Sequence, residues 1–350
     1  DNGALLIYYG LEGGFFPAYP DLILPGPFGY DNFGLNVVTC DFNGDGHLDI
    51  AGGAINAEDR DLDPLISSQG AIHVYLGDSE TFDQEPHQSL FGVIPDGEGG
   101  WVASRNLRLG ETLAVGDMDG DGLCDLASGN YNYESGSGRS DDGSVHVFRG
   151  QPPGVDTPGG LSPRPMLLMT SDGDDNAGNF GRRLAMGDVT GDGKDELFVS
   201  HYNQDDPSKS GTNHGALRVY LGAAFPDVPP LVHASAEDAD MTYWGTNSGD
   251  RFGWSSHVAD VDGQAPLDLV ITAMYGEVVD GTSGAGSFQV HPGRILGGSD
   301  SQMAEGAPDD ADAGSTGADD AASEDMSAED AGPTEDVGLA EPDADEDVGL

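Results

Sequence analysis

Oxygen-bearing side chains fall on alternate residues in four short segments: DFNGDGHLD from Asp41, DMDGDGLCD from Asp117, DVTGDGKDE from Asp188 and DVDGQAPLD from Asp260. Positions 1, 3, 5 and 9 of each segment carry or can carry the oxygens, and glycines between them permit a tight backbone. Carboxylates this close repel one another unless a cation sits among them. A hard cation that takes six to eight oxygens at about 2.3–2.6 Å fits the pattern, and Ca²⁺ is the expected ion. In the first loop the ligands are Asp41, Asn43, Asp45 and Asp49, with His47 giving only its carbonyl. In the second they are Asp117, Asp119, Asp121 and Asp125 with the Leu123 carbonyl. In the third they are Asp188, Thr190, Asp192 and Glu196 with the Lys194 carbonyl. The fourth keeps Asp260, Asp262 and Asp268 but has Gln264 and Ala265 where the second has Asp121 and Gly122, so it is expected to be weaker.

An EF-hand would need a bidentate Glu at position 12 and flanking helices. Position 12 here is Gly52, Ser128, Val199 or Ile271, in segments that read as strands. His73 and His146 share one place in equivalent strands where Arg218 and Gln289 stand in the other copies, which suits a strand face better than a metal ligand. There is no GxSxG elbow and no HExxH, so the chain is expected not to be an enzyme.

The loops begin 76, 71 and 72 residues apart, so the elements that carry them form a repeat array. Each repeat opens on an alternating strand that runs into the loop. A second strand leads out, a long polar connection follows, and a third strand comes next: GAIHVYLG, GSVHVFRG, GALRVYLG or GSFQVHPG. A weaker fourth strand closes the unit, as at Ser89 to Ile94. Short period-2 strands between Gly, Asp and Pro turns, four per repeat, predict an all-β chain and a β-propeller. Blades are expected over 31–100, 101–176, 177–246 and 247–300, the last without its fourth strand. Residues 1–30 supply the third and fourth strands of a partial blade. On this reading about four and a half blades are present, and the rest of the propeller lies upstream.

The net charge is −50, with 13 basic residues against 63 acidic ones. That excludes a phosphate-binding surface and so nucleic acid. Residues 301–350 hold 17 acidic residues, no basic ones and no aromatics, and are expected to be a disordered tail. No apolar run reaches the roughly 18 residues of a membrane span. Cys40 and Cys124 are read as two buried thiols, with a disulfide as the alternative.

These features together resemble the FG-GAP repeat of integrin alpha-subunits and of bacterial secreted proteins. The resemblance rests on Phe33-Gly34, Leu109-Gly110, Phe180-Gly181 and Phe252-Gly253, on the Asp-rich loops, and on Gly52-Gly53-Ala54 at the Gly-Ala-Pro position. It implies seven blades in the full-length protein, calcium loops on one face and ligand contact on the other. The long loops 55–69, 130–142, 201–214 and 274–285 project from that second face. They carry Tyr131, Tyr133, Arg139, Tyr202 and Tyr275, which are the expected ligand contacts. The expected role is a non-catalytic, calcium-stabilised module for protein binding, adhesion or surface display, outside the cell or on its surface, and the resemblance implies a bacterial source. The partner would be an extracellular protein or a glycan. The alternatives are a carbohydrate-binding propeller and an accessory propeller of a secreted enzyme.

Overall fold

The computed structural model describes residues 2–293 apart from 12, 79–80, 99, 134–141, 155–158, 172–178, 224–231, 236–237 and 277–285. The chain is all-β, with no α-helix among the described residues. A hairpin of β1 (Ala4–Ile7) and β2 (Leu22–Pro25) comes first. Next is a four-stranded antiparallel sheet of β3 (Phe33–Cys40), β4 (Asp49–Ala54), β5 (Ala71–Tyr75) and β6 (Gln88–Phe91). A small hairpin, β7 (Val93–Pro95) with β8 (Trp101–Ala103), takes up part of what the sequence suggests as one fourth strand. The second sheet holds β9 (Thr112–Gly116), β10 (Asp125–Asn130) and β11 (Ser144–Phe148). A two-residue hairpin of β12 (Gly150–Gln151) and β13 (Gly160–Leu161) leads to its outer strand β14 (Leu167–Thr170).

The third sheet joins β15 (Leu184–Gly187), β16 (Glu196–His201), β17 (Ala216–Tyr220) and, after β18 (Val232–Ser235), β19 (Met241–Trp244). β18 does not enter that sheet. It pairs in parallel with β14, so the connection in one blade supplies a fifth strand to the blade before it, which the sequence pattern does not reveal. The last sheet has three strands, β20 (Phe252–Ala259), β21 (Asp268–Ala273) and β22 (Ser287–His291).

The first strands β3, β9, β15 and β20 pack against one another in chain order, as the inner strands of propeller blades do. The apolar cores therefore lie between sheets. One joins Ile72 and Val74 to Leu113, Leu126 and Phe148 across the first two blades. Another joins Val145 and Val147 to Phe180, Leu197 and Val199. Both faces of a central strand are covered, which is why β4, β5, β10, β11, β16 and β17 are buried at every residue instead of alternating.

The Phe-Gly openings have a packing reason. Phe33, Leu109, Phe180 and Phe252 are buried. The backbones of Phe33, Leu109 and Phe180 bridge in parallel to Gly3, Gly70 and Gly143 at or beside the start of the preceding repeat's third strand. The following glycine then passes against the preceding blade's second strand: a Cβ on Gly53 would overlap the Gly110 carbonyl, and one on Gly129 the Gly181 carbonyl.

Candidate metal centres and the opposite face

The four acidic loops join the first strand of each blade to the second, so they emerge at one end of the sheets. Asp41 organises the first: its Oδ1 accepts from the Gly44 amide (2.7 Å) and its Oδ2 from Gly46 (2.9 Å). Gly44 and Gly46 hold φ of 76° and 87°, which a side chain would strain. Asp117 accepts from Gly120 and Gly122, and Asp188 from Gly191 and Gly193, in the same way. Position 5 then accepts from the amide two residues on, at His47, Leu123 and Lys194.

The carboxylate at position 9 anchors each loop to the sheet. Asp125 takes the Met118 amide on Oδ2 (2.9 Å) and the Gly150 amide, just beyond β11, on Oδ1 (3.0 Å). Asp49 and Asp268 repeat this with Phe42 and Gly77, and with Val261 and Gly293. Glu196 accepts from Val189 on Oε2 and from the Thr190 hydroxyl on Oε1.

The structure draws together Asp117, Asp119 and Asp125, then Asp188, Asp192 and Glu196, then Asp260, Asp262 and Asp268. In each group one oxygen per residue lies within 4.8 Å of the others. In the first loop Asn43 donates from Nδ2 to Asp45 Oδ2 (3.1 Å). Burial pushes Asp125 up to about 7, with repulsion from Asp119 and Asp121 adding to it. Burial likewise raises Asp49, Asp119 and Glu196. Asp268 is instead held low by the amides of Gly293 and Val261. All donors are hard oxygens and the buried carboxylates resist ionisation without a countercharge, so these residues fit a divalent cation of the calcium kind.

Neighbouring loops are linked. The amide at position 8 of one loop donates to the carbonyl at position 1 of the loop before it: Cys124 to Asp41 (3.2 Å), Asp195 to Asp117 (2.9 Å) and Leu267 to Asp188 (3.2 Å). Asp195 Oδ2 also accepts from the Asp117 amide at 2.8 Å. Cys40 and Cys124 are bonded to each other, which corrects the reading as thiols: the pairing of adjacent loops sets their Cα atoms 6.1 Å apart. Arg149, at the end of β11, reaches into the second loop, with Nε 2.7 Å from Asp119 Oδ2 and one terminal nitrogen 2.9 Å from Asp121 Oδ2.

At the opposite end the expected contact residues divide. Tyr133 and Tyr202 are buried, so they serve packing and offer little contact surface. Tyr202 gives its hydroxyl to Asn179 Oδ1 (2.9 Å) and sets its ring edge-on to Trp254. Arg139 lies outside the described residues. Tyr131 is half-buried and Tyr275 is 44% exposed. Two arginines that sequence reading missed join them into a row. Arg182 lies 4.5 Å from the Tyr131 ring centre and 5.4 Å from that of Trp254, and Arg251 lies 6.0 Å from the Tyr202 ring centre and 5.4 Å from that of Tyr275, so the packed Tyr202 ring links the two groups. Each arginine flanks a Phe-Gly opening, a place that flags both once the repeats are aligned.

His73 and His146 are structural. His73 and His146 are buried and pushed down to about 4 by desolvation. His73 Nδ1 meets Ser89 Oγ at 2.8 Å, and His146 Nε2 meets the Val93 carbonyl at 3.1 Å.

The family model of the FG-GAP repeat matches residues 109–148. The chain is 30% identical to integrin alpha-5 of Xenopus laevis over 206 residues, 58% of this chain and 16% of that protein. It is 29% identical to phosphatidylinositol-glycan-specific phospholipase D of Homo sapiens over 255 residues, 69% of this chain and 26% of that protein. The chain thus spans about a quarter or less of the length of these relatives. The solved exotype rhamnogalacturonan lyase YesX aligns over 84% of this chain and 52% of its own, at 13% identity and a TM-score of 0.35, too low to carry an argument. Residues 109–148 thus match an FG-GAP repeat, and the docked Phe-Gly openings and blade-like sheets of the neighbouring repeats support an FG-GAP β-propeller.

Proposed function

We propose that this chain is a calcium-stabilised extracellular propeller module that catalyses nothing itself and binds another macromolecule on the face opposite its acidic loops. The observation that carries the binding face is the row of Tyr131, Arg182, Trp254, Arg251 and Tyr275 across three blades, joined through the packed Tyr202 ring. Aromatic rings and guanidinium groups held by one another are preorganised contacts with little side-chain entropy left to lose. His47, Leu123 and Lys194 complete the calcium shells through their carbonyls. The Cys40–Cys124 bond supports a compartment outside the reducing cytosol. No helix among the described residues is long and apolar enough to cross a membrane.

A glycan ligand is the second reading, favoured by the exposed ring of Tyr275, since sugars stack on such faces. The catalytic activity named for phospholipase D is not carried over, because the chain covers only 26% of that protein. The test is a glycan array beside a panel of extracellular matrix proteins, with the Arg182→Ala/Arg251→Ala variant as control. Binding should fall about tenfold or more, the factor that ~1.4 kcal/mol corresponds to. Binding that survives the double substitution would place the ligand elsewhere.

A further inference from the structure

In three of the four repeats the residue just beyond the third strand is uncharged: Leu76, Leu221 and Pro292, and in the second it is Arg149. Its backbone is fixed on both sides by Ser162, whose Oγ accepts from the Arg149 amide (3.0 Å) and whose amide donates to the Arg149 carbonyl (2.8 Å). The side chain is thereby aimed at the acidic loop. Its Nε pairs with Asp119 and its terminal nitrogen with Asp121, the residues at positions 3 and 5. These are the two carboxylates that a calcium ion would need beside Asp117 and Asp125. Asp119 is almost wholly buried while Arg149 keeps 29% of its side chain exposed, so the guanidinium has a route to water and the carboxylate has none.

We propose that Arg149 is a tethered cation that competes with calcium for Asp119 and Asp121, making the second loop a gated site. The inference rests on the calcium reading of these loops. With four carboxylates the second loop has the most acidic ligand set of the four, and among the described residues it is the one loop whose ligand carboxylates form an ion pair with a basic side chain. Calcium enters by displacing the guanidinium, which swings out on its flexible stem. The cost of breaking that charge-assisted pair is subtracted from the binding free energy. The second loop is therefore a lower-affinity site than its carboxylates suggest, able to respond to calcium concentration while its neighbours stay filled. Calcium binding also turns a neutralised arginine into an exposed positive group at this face.

The test is calorimetric titration of wild type and Arg149→Leu with calcium chloride, with thermal melts in chelator and in excess calcium. Leucine already occupies this place in the first and third repeats, so the variant is compatible with the fold. Arg149→Leu should melt lower than wild type in chelator, yet gain more from calcium, with one site tightened about tenfold, equivalent to ~1.4 kcal/mol. Arg149→Lys, which keeps the charge and loses the forked geometry, should fall between them. Adding Asp117→Ala should erase the gain, assigning it to the second loop. An equal or smaller calcium response in Arg149→Leu would overturn the competition and leave the calcium reading standing. Calcium binding by none of the proteins would overturn both.

Discussion

Asp125 provides a sharp test of what the acidic loops are for. It is fully buried, and burial holds its pKa near 7 against an ordinary 3.8. The folded value lies above the unfolded one, so Asp125 contributes stability that is full below about pH 4 and is lost as pH rises to about 7. The gap of roughly three units corresponds to about 4 kcal/mol, at ~1.4 kcal/mol per unit. His73, His146 and His201 act in the opposite sense: they are pushed down to about 4, 4 and 3 by burial, so their contribution grows as pH rises from about 4 to 6.5. Raw stability against pH therefore mixes two signs, and the informative quantity is a difference between two proteins.

Asp125→Asn supplies it. The variant keeps the shape and removes the charge, and its NH₂ faces one of the two amides that the carboxylate accepted. That mismatch costs about 1–3 kcal/mol at every pH. Chemical denaturation of both proteins in chelator, from pH 4 to pH 8, should show the variant gaining about 4 kcal/mol on wild type. In saturating calcium the gain should vanish, because a bound cation keeps Asp125 ionised at little cost, and the variant should become the less stable protein. A difference independent of pH in chelator would show that Asp125 is ionised in the fold without help. A pH-dependent difference that calcium leaves unchanged would show that no cation reaches this carboxylate.

Replacing Cys40 and Cys124 with serine frees a loop of 84 residues. The variant should lose about 4–5 kcal/mol in denaturant melts, less if strain offsets the entropy, and no loss would mean the bond is not formed in solution. Asp195→Ala removes the acceptor of the Asp117 amide and should cost about 1 kcal/mol. Although Asp195 belongs to the third loop, its loss should also weaken calcium binding at the second, and a titration in which only the third site changes would refute the linkage between loops. Arg218→Leu, at the strand position shared with His73 and His146, should leave calcium titrations unchanged while lowering the melting temperature, since Arg218 bonds to Thr242 and lies over the Trp244 ring.

Much of the architecture was legible because it repeats. The spacing of Asp41, Asp117, Asp188 and Asp260 marks the blades, and the Gly and Asp turns mark the strand ends. The parallel addition of β18 to β14 was not legible, because a strand's partner depends on which edge is free and not on the strand's own residues. The burial of Tyr202 was hidden for a similar reason: tyrosine in a long loop reads as a contact residue until a neighbouring blade packs on it, as Trp254 does here. The acidic loops were readable as clusters of oxygen side chains, but the counterion of the second was not. Arg149 is remote in sequence from Asp119 and Asp121, and only the pairing of β10 with β11 brings them together. The disulfide needed the position-8 link between adjacent loops, which sequence spacing does not show.

The most direct test of the central claim is anomalous diffraction from crystals grown in calcium, recorded at a wavelength where calcium scatters anomalously. Peaks are expected inside the acidic loops, each within about 2.3–2.6 Å of oxygens at positions 1, 3 and 5 and of the position-7 carbonyl. At the second loop the peak should coincide with an Arg149 side chain turned away from Asp119 and Asp121. Loops that hold no anomalous peak in saturating calcium, with Arg149 still seated on its two carboxylates, would contradict it.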